Sequence, residues 1–335
     1  MATDRSYYDG AADYDADAVR FFDIAHEGAH VRAVAQAAGM LERLQGSSPR
    51  SVVVLATDAI SEAAAECAVA LVEFDRAPVM VTRRVPDFVG ALDVVLLVGD
   101  APDAESSVRQ VSAAAGRGAE VILAGPAGGP VVEDAPRGAV VLPAPPTADG
   151  ASPLRTIAAV IGVCGALSGT SALVDGVADA VDEELRQLSP EREVTVNLAR
   201  QLREFSEGAR VIHTGYTAAG AAVARLVAAL WSARGIPSGF VGREDLGSAL
   251  DSAAGSGTGA GNSAGGADDI FYDPFIDGPT AHVPVKTVVW GQREPHLPGA
   301  RAEYVGEAED GAGGDLAAAL RLIVRGLAAT ALHAD

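Results

Sequence analysis

The stretch VVLLVGDAPDAESS, Val94 to Ser107, has the outline of a phosphate-binding turn without its chemistry. A β-branched run ends in Gly99, a short loop follows, and a helical pattern begins. Such turns hold anions when hydroxyls and backbone amides converge on them. Here Asp100 and Asp103 fill the loop, and no hydroxyl precedes Ser106. A phosphate dianion about 4 Å from one unpaired carboxylate meets a repulsion of about 2 to 8 kcal/mol for effective dielectrics of 80 to 20. One or two surviving hydroxyls, at about 1 kcal/mol each, do not offset that. The turn is left with the hydroxyls of a neutral sugar, a cation, or no ligand.

A second turn suits an anion better. In HTGYTAAGAAV the strand is expected to end at Thr214, Gly215 opens the turn, and a helix starts near Ala218. His213, Thr214, Gly215, Tyr216, Thr217 and Gly220 are its candidate ligand residues, with no acidic residue between His213 and Val223. Amides at the helix start favour an anion, and His213 would add charge below its ordinary pKa of about 6.5. Thr217 serves equally well as a plain N-cap. The matching turn ATDAIS offers Thr57 and Ser61 to a ligand, or Asp58 and Ser61 to a cap. GQREPH, ending at His296, either reaches a similar crevice or is a solvated loop.

HEGAH, His26 to His30, matches the H-E-x-x-H pattern of zinc peptidases, with both histidines on one helical face and Glu27 as base. Gly28 weakens the helix, and no third histidine follows at a suitable spacing. The histidines are read as solvated or helix-end residues, and neither a metal nor a cofactor is expected.

These residues need elements to place them. After an acidic leader, expected to be flexible over 1–24, RAVAQAAGMLERL has helical spacing up to Gly46. SVVVLA, APVMVTR, DVVLLVG, AEVILAG and GAVVLPAP then alternate with helical stretches, a pattern that predicts a parallel sheet covered on both faces. A charged stretch, DEELRQLSPEREVTVNLARQLREF, leads to a second set: ARVIHTG, SGFVG, DIFYDPF and KTVVWG. The expected fold is α/β: two tandem flavodoxin-like α/β/α domains, at 25–180 and 181–335. The low-complexity run at 251–267 is expected to be a flexible loop.

The chain's 335 residues are ample for two domains. A net charge of −20 excludes nucleic acid as a partner, since phosphate neutralisation needs a basic face. Lys286 is the only lysine, so lysine chemistry has one candidate. Cys67 and Cys164 read as buried free thiols. The N-terminus lacks a signal-peptide pattern, and the apolar stretch from Leu154 reads as a buried helix rather than a membrane span. A cytoplasmic protein is expected.

Taken in order, these turns resemble the sugar isomerase (SIS) fold over roughly residues 25–335. The pattern is similar to the bacterial bifunctional phosphoglucose/phosphomannose isomerases, in the divergent actinobacterial branch known as TobH-type. VVVLATDAIS stands where the family has a strand and G-M-G-G-S. VGDAPDAES stands where its S-Y-S-G-N-T-E-E-T holds the sugar phosphate, and LPAPP with SPLRTIAAVIGVCGAL matches a proline-rich strand end, P-x-R and long helix. The resemblance implies carbohydrate-derivative binding, with Arg155 among the ligand residues, and a homodimer. The family's catalytic glutamate and histidine segments are replaced by WSARGIPSGFVGREDL, which has no histidine. No catalytic residue is assigned, and isomerase activity is expected to be degenerate or lost. The alternative is a non-catalytic protein that associates with enzymes of mannose-phosphate metabolism.

Overall fold

The computed structural model describes residues 15–101, 105–145, 151–170, 176–255, 283–306 and 314–333. Helices α1 (Ala16–Ile24) and α2 (Glu27–Gln36) and a 3₁₀ segment (Ala38–Leu44) lead into β1 (Ser51–Ala56), α3 (Ala59–Leu71) and β2 (Val79–Thr82). Then come β3 (Asp93–Val98), α4 (Glu105–Gly116), β4 (Glu120–Ala124), α5 (Pro130–Glu133), β5 (Val140–Val141) and α6 (Pro153–Ser168). Helices α7 (Val177–Gln187) and α8 (Leu198–Ser206) precede β6 (Arg210–Gly215), α9 (Ala218–Ala233), β7 (Ser238–Phe240) and α10 (Leu246–Gly255). The last elements are β8 (Val285–Trp290), β9 (Arg301–Glu303) and α11 (Gly314–Ala328).

The strands form two parallel sheets, ordered β2-β1-β3-β4-β5 and β7-β6-β8-β9. Counted within each sheet, the first strand lies between the second and third in both, the flavodoxin-like order. Every residue of β1 and β3 is buried, which requires cover on both faces. The two-residue strand period divides them. Val52, Val54, Val94, Leu96 and Val98 face a large cluster, whereas Val53, Leu55, Val95 and Leu97 face a smaller one with Val111, Ala114 and Val131. The large cluster continues through α3, α6, α9 and α11 to Val211, Val288 and Trp290 of the second sheet, so both sheets share one core. Within it α6 is buried from Pro153 to Leu167. Among the described residues no helix is long and apolar enough to cross a membrane. Cys67 and Cys164 are buried free thiols, as expected, and burial pushes them up to about 12 and about 11.

Several local expectations need correction. The leader is helical from Ala16, with Phe21 and Ile24 in the core. Its buried Asp17 accepts from the His333 backbone N–H at 3.2 Å and pairs with Arg200 at 3.3 Å, which anchors the segment. RAVAQAAGMLERL is not one helix. The chain tightens into the 3₁₀ segment around Gly39, and the three-residue repeat brings Leu41 and Leu44 together into the core. Strand β5 has only two residues because Pro143 and Pro145 offer no N–H to a ladder. Residues 251–255 are the end of α10; the rest of the low-complexity run, DIFYDPF, and Asp103 lie outside the described residues.

The charged stretch is not a mere linker. It supplies Glu184, which is 1% exposed and accepts from Arg321 at 3.0 Å and from Arg325 at 2.9 Å on α11. Arg325 also holds the buried Glu303 of β9 at 2.9 Å. A carboxylate without water must be matched by local charge, and here two guanidiniums match it. Glu184→Ala leaves those guanidiniums underneutralised and is expected to cost about 3 to 5 kcal/mol in urea unfolding. A loss under about 1 kcal/mol would show that the network is dispensable.

Candidate functional site

In a parallel sheet of this order, ligands bind beyond the carboxyl ends of the strands, where neighbouring connections diverge. In the first sheet that place lies between β1 and β3. The hydroxyls there are already engaged. Asp58 caps α3, accepting from the Ser61 N–H at 2.8 Å, while the Ser61 hydroxyl accepts from the Asp58 N–H at 3.2 Å. Thr57 donates its hydroxyl to Asp58 at 3.0 Å. Gly99 has φ +119°, and a Cβ there would lie 2.1 Å from Thr57 Oγ1, so the β3 turn rests against the β1 turn.

Asp100 is not unpaired, and this corrects the electrostatic premise drawn from its sequence. Its carboxylate forms an ion pair with Arg155 and accepts from the Ser152 N–H at 2.8 Å. Arg155 is only 2% exposed and also donates to the Gly125 carbonyl. Burial pulls its guanidinium down to about 10, still charged at neutral pH. The carboxylate that looked like an obstacle to anions is the counter-ion of a buried cation.

Glu27 stands behind this pair. It begins α2 and accepts from the Leu154 N–H at 3.0 Å and from the Ser152 hydroxyl at 3.1 Å, so it caps the start of α6 from another helix. Burial raises it to about 7 despite those bonds and the Arg155 charge. His30 lies one turn along α2, buried, and burial with the nearby Arg155 lowers it to about 4. His26 instead faces solvent and bonds the Phe22 carbonyl at 2.8 Å. The HEGAH pattern is thereby divided, and among the described residues no three His, Cys, Asp or Glu side chains lie close enough to hold a metal.

The second sheet's turn is packed differently. Strand β6 runs through Gly215, where a Cβ would lie 2.2 Å from the Gly220 carbonyl carbon. A Cβ on Gly220 would lie 2.5 Å from the Trp290 carbonyl oxygen. Glycine is required at both positions because the helix start, β6 and the end of β8 meet through backbone. Thr217 is the N-cap of α9, accepting from the Gly220 N–H at 3.0 Å, and with Ala218 it is exposed. Tyr216 donates its hydroxyl to the Pro295 carbonyl at 2.9 Å, its ring stacks near His296, and the Arg243 guanidinium lies over it.

His213 departs from expectation. It is fully buried, accepts a 3.0 Å bond from the Trp290 indole at Nδ1, and meets Trp231 edge-on. Burial lowers it to about 3, so it adds no charge to the turn at neutral pH. Thr214 is also fully buried, and its hydroxyl has no hydrogen-bond partner. Lys286, the one lysine, lies on β8 with its ammonium over Phe205, away from both turns. The structure thus links Thr57 and Ser61 through Asp58, pairs Asp100 with Arg155, and groups Tyr216 with Arg243 and His296. Glu27 was missed as a partner of α6, and only Ser152-Pro153, a cap followed by proline, marks that helix start in the sequence.

No family model matches the chain, and no curated protein matches it in sequence. Solved structures do match in fold. The C-terminal domain of glucosamine-fructose-6-phosphate aminotransferase from Francisella tularensis superimposes with a TM-score of 0.58 at 9% identity, covering 96% of this chain and 97% of that one. A proposed phosphosugar isomerase from Bacillus subtilis gives 0.55 at 18% identity, covering 91% and 93%. Tagatose-6-phosphate ketose/aldose isomerase from Escherichia coli gives 0.55 at 12%, covering 93% and 90%. The chain shares the fold of these proteins. At such identities, the likeness extends to fold alone.

The buried groups set the pH response. Glu27 binds its proton more tightly folded than unfolded, so its contribution is full below about pH 4.5 and is lost as pH rises through about 7. His30 and His213 are held neutral, so theirs is lost as pH falls below about 6.5 toward about 4 and about 3. Relative to the wild type, Glu27→Gln should therefore gain up to about 3 kcal/mol between pH 4.5 and pH 8.5. Unfolding curves at both pH values measure it, and a constant difference would contradict a raised Glu27.

Proposed function

We propose that this chain is a sugar-phosphate-binding protein of the SIS type in hexose-phosphate metabolism, related to the TobH-type phosphoglucose/phosphomannose isomerase branch and lacking isomerase activity. The observation that carries the altered site is the Asp100–Arg155 pair. In the resemblance, that turn is the phosphate loop and that arginine a ligand residue. Here the one answers the charge of the other. The first unit's anion position is thereby filled from within, whereas the second unit's turn, Thr214 to Gly220, presents an exposed hydroxyl and helix start. Two tandem units dividing near residue 180 belong to the same reading, supported by the repeated strand order.

Aldose–ketose isomerisation needs a base that moves a proton between adjacent carbons and an acid–base group for ring opening. The segment matched to the family's catalytic glutamate and histidine runs from the end of α9 through β7 with no histidine, and its Glu244 is exposed. Glu27 and His30 are buried, and Glu27 is spent on α6. A coupled assay with glucose 6-phosphate and mannose 6-phosphate should show no turnover. Rates of about 1 to 1,000 per second would refute the loss of activity.

The binding part has its own test. Calorimetric titration with a panel of hexose phosphates should show binding that Thr217→Asp abolishes. Asp100→Ser should leave that affinity almost unchanged, while lowering stability by about 3 kcal/mol because Arg155 loses its counter-ion. Binding lost in Asp100→Ser but kept in Thr217→Asp would move the site to the first unit.

A further inference from the structure

All four strands of the second sheet run parallel, so their carboxyl ends share one edge. Each end delivers an aromatic or cationic residue there: Tyr216 after β6, Arg243 after β7, Arg293 and His296 after β8, and Tyr304 after β9. They are organised in pairs. The Arg243 guanidinium lies 5.4 Å from the Tyr216 ring centre, and Arg293 lies 5.3 Å from that of Tyr304. Tyr216 is fixed by its hydroxyl bond to Pro295, and its other neighbour is His296, near-parallel at 6.3 Å. Neither Arg243 nor Arg293 forms an ion pair among the described residues, although Glu244, Asp245 and Glu294 adjoin them in sequence. A guanidinium held over a ring face without a carboxylate partner keeps N–H donors free for phosphate oxygens. Below the rim, two residues before Tyr216, is the buried and unpartnered Thr214 hydroxyl.

We propose that this rim binds a phosphate ester, with Arg243 and Arg293, over the Tyr216 and Tyr304 rings, supplying the charge. The proposal rests on the sugar-phosphate reading and adds the groups that would recognise the phosphate. His213, the cation expected from the sequence, has no part in it because it is buried and neutral. Two exposed guanidiniums also make the binding weaken with added salt.

Titration calorimetry of the wild type, Arg243→Gln and Arg293→Gln with glucose 6-phosphate, glucose and inorganic phosphate tests it. The wild type should bind glucose 6-phosphate but not glucose, and each variant should bind about 10- to 100-fold more weakly with an unchanged melting temperature. Glucose 6-phosphate binding that survives in both variants overturns the rim and leaves the sugar-phosphate reading standing. Inorganic phosphate bound as tightly as the ester, and lost in Arg243→Gln, supports the rim and removes the hexose-phosphate reading. Wild-type protein that binds neither anion overturns the rim.

Discussion

A guanidinium placed where water cannot follow must find its counter-charge within the protein. Arg155 sits in the first turn of α6, a helix buried along nearly its whole length and packed against α2, α3 and the first sheet. Its charge is answered by Asp100 from the β3 turn and its remaining hydrogen-bonding capacity in part by the Gly125 carbonyl after β4. Glu27 from α2 closes the same helix start. One buried cation thus ties two connections of the first sheet to α6, and Glu27 of α2 caps the same helix. An isolated ionised side chain there would cost far more than the fold's net stability.

The second sheet solves a related problem with aromatic packing. His213 stays neutral because Trp290 and Trp231 enclose it and the Trp290 indole N–H satisfies Nδ1. Gly326 of α11 adds to the seal by accepting the Trp231 indole N–H at 2.7 Å. The adjacent turn then depends on glycines that let α9 approach β6 and β8 through backbone alone. The turn after β3 and the turn after β6 both lie at the carboxyl ends of their sheets, and they differ in electrostatic state. The first is closed by an internal ion pair, and the second has Thr217 exposed and the Arg243 guanidinium over Tyr216.

The alternating apolar runs disclosed the parallel sheets, since a strand apolar at every position has both faces covered. They also placed nearly every described strand, and the turn residues beside them offered Asp58 or Ser61, and Thr217, as caps. Hidden were features that depend on what lies across the fold. Glu27 and Leu154 are 127 residues apart, and Glu184 and Arg325 are 141 apart. No local pattern distinguishes a charged residue that will be buried against a distant partner from one that will face water. For that reason the segment around Glu184 reads as a charged connection between the two sets of strands, and Asp100 as an obstacle.

What the amino-acid order determined by itself is periodic and local: strands of period two, helices of period 3.6, glycines at turns, caps before helices. These follow from steric limits and hydrogen bonds within a few residues, so the chain carries them wherever it folds. Tertiary structure alone decided the charge states. Whether Asp100 repels an anion or neutralises Arg155, and whether His213 is a cation or a neutral core residue, depends on burial and on partners far away in sequence. Desolvation acts on a group's surroundings in space, and only the assembled core defines those.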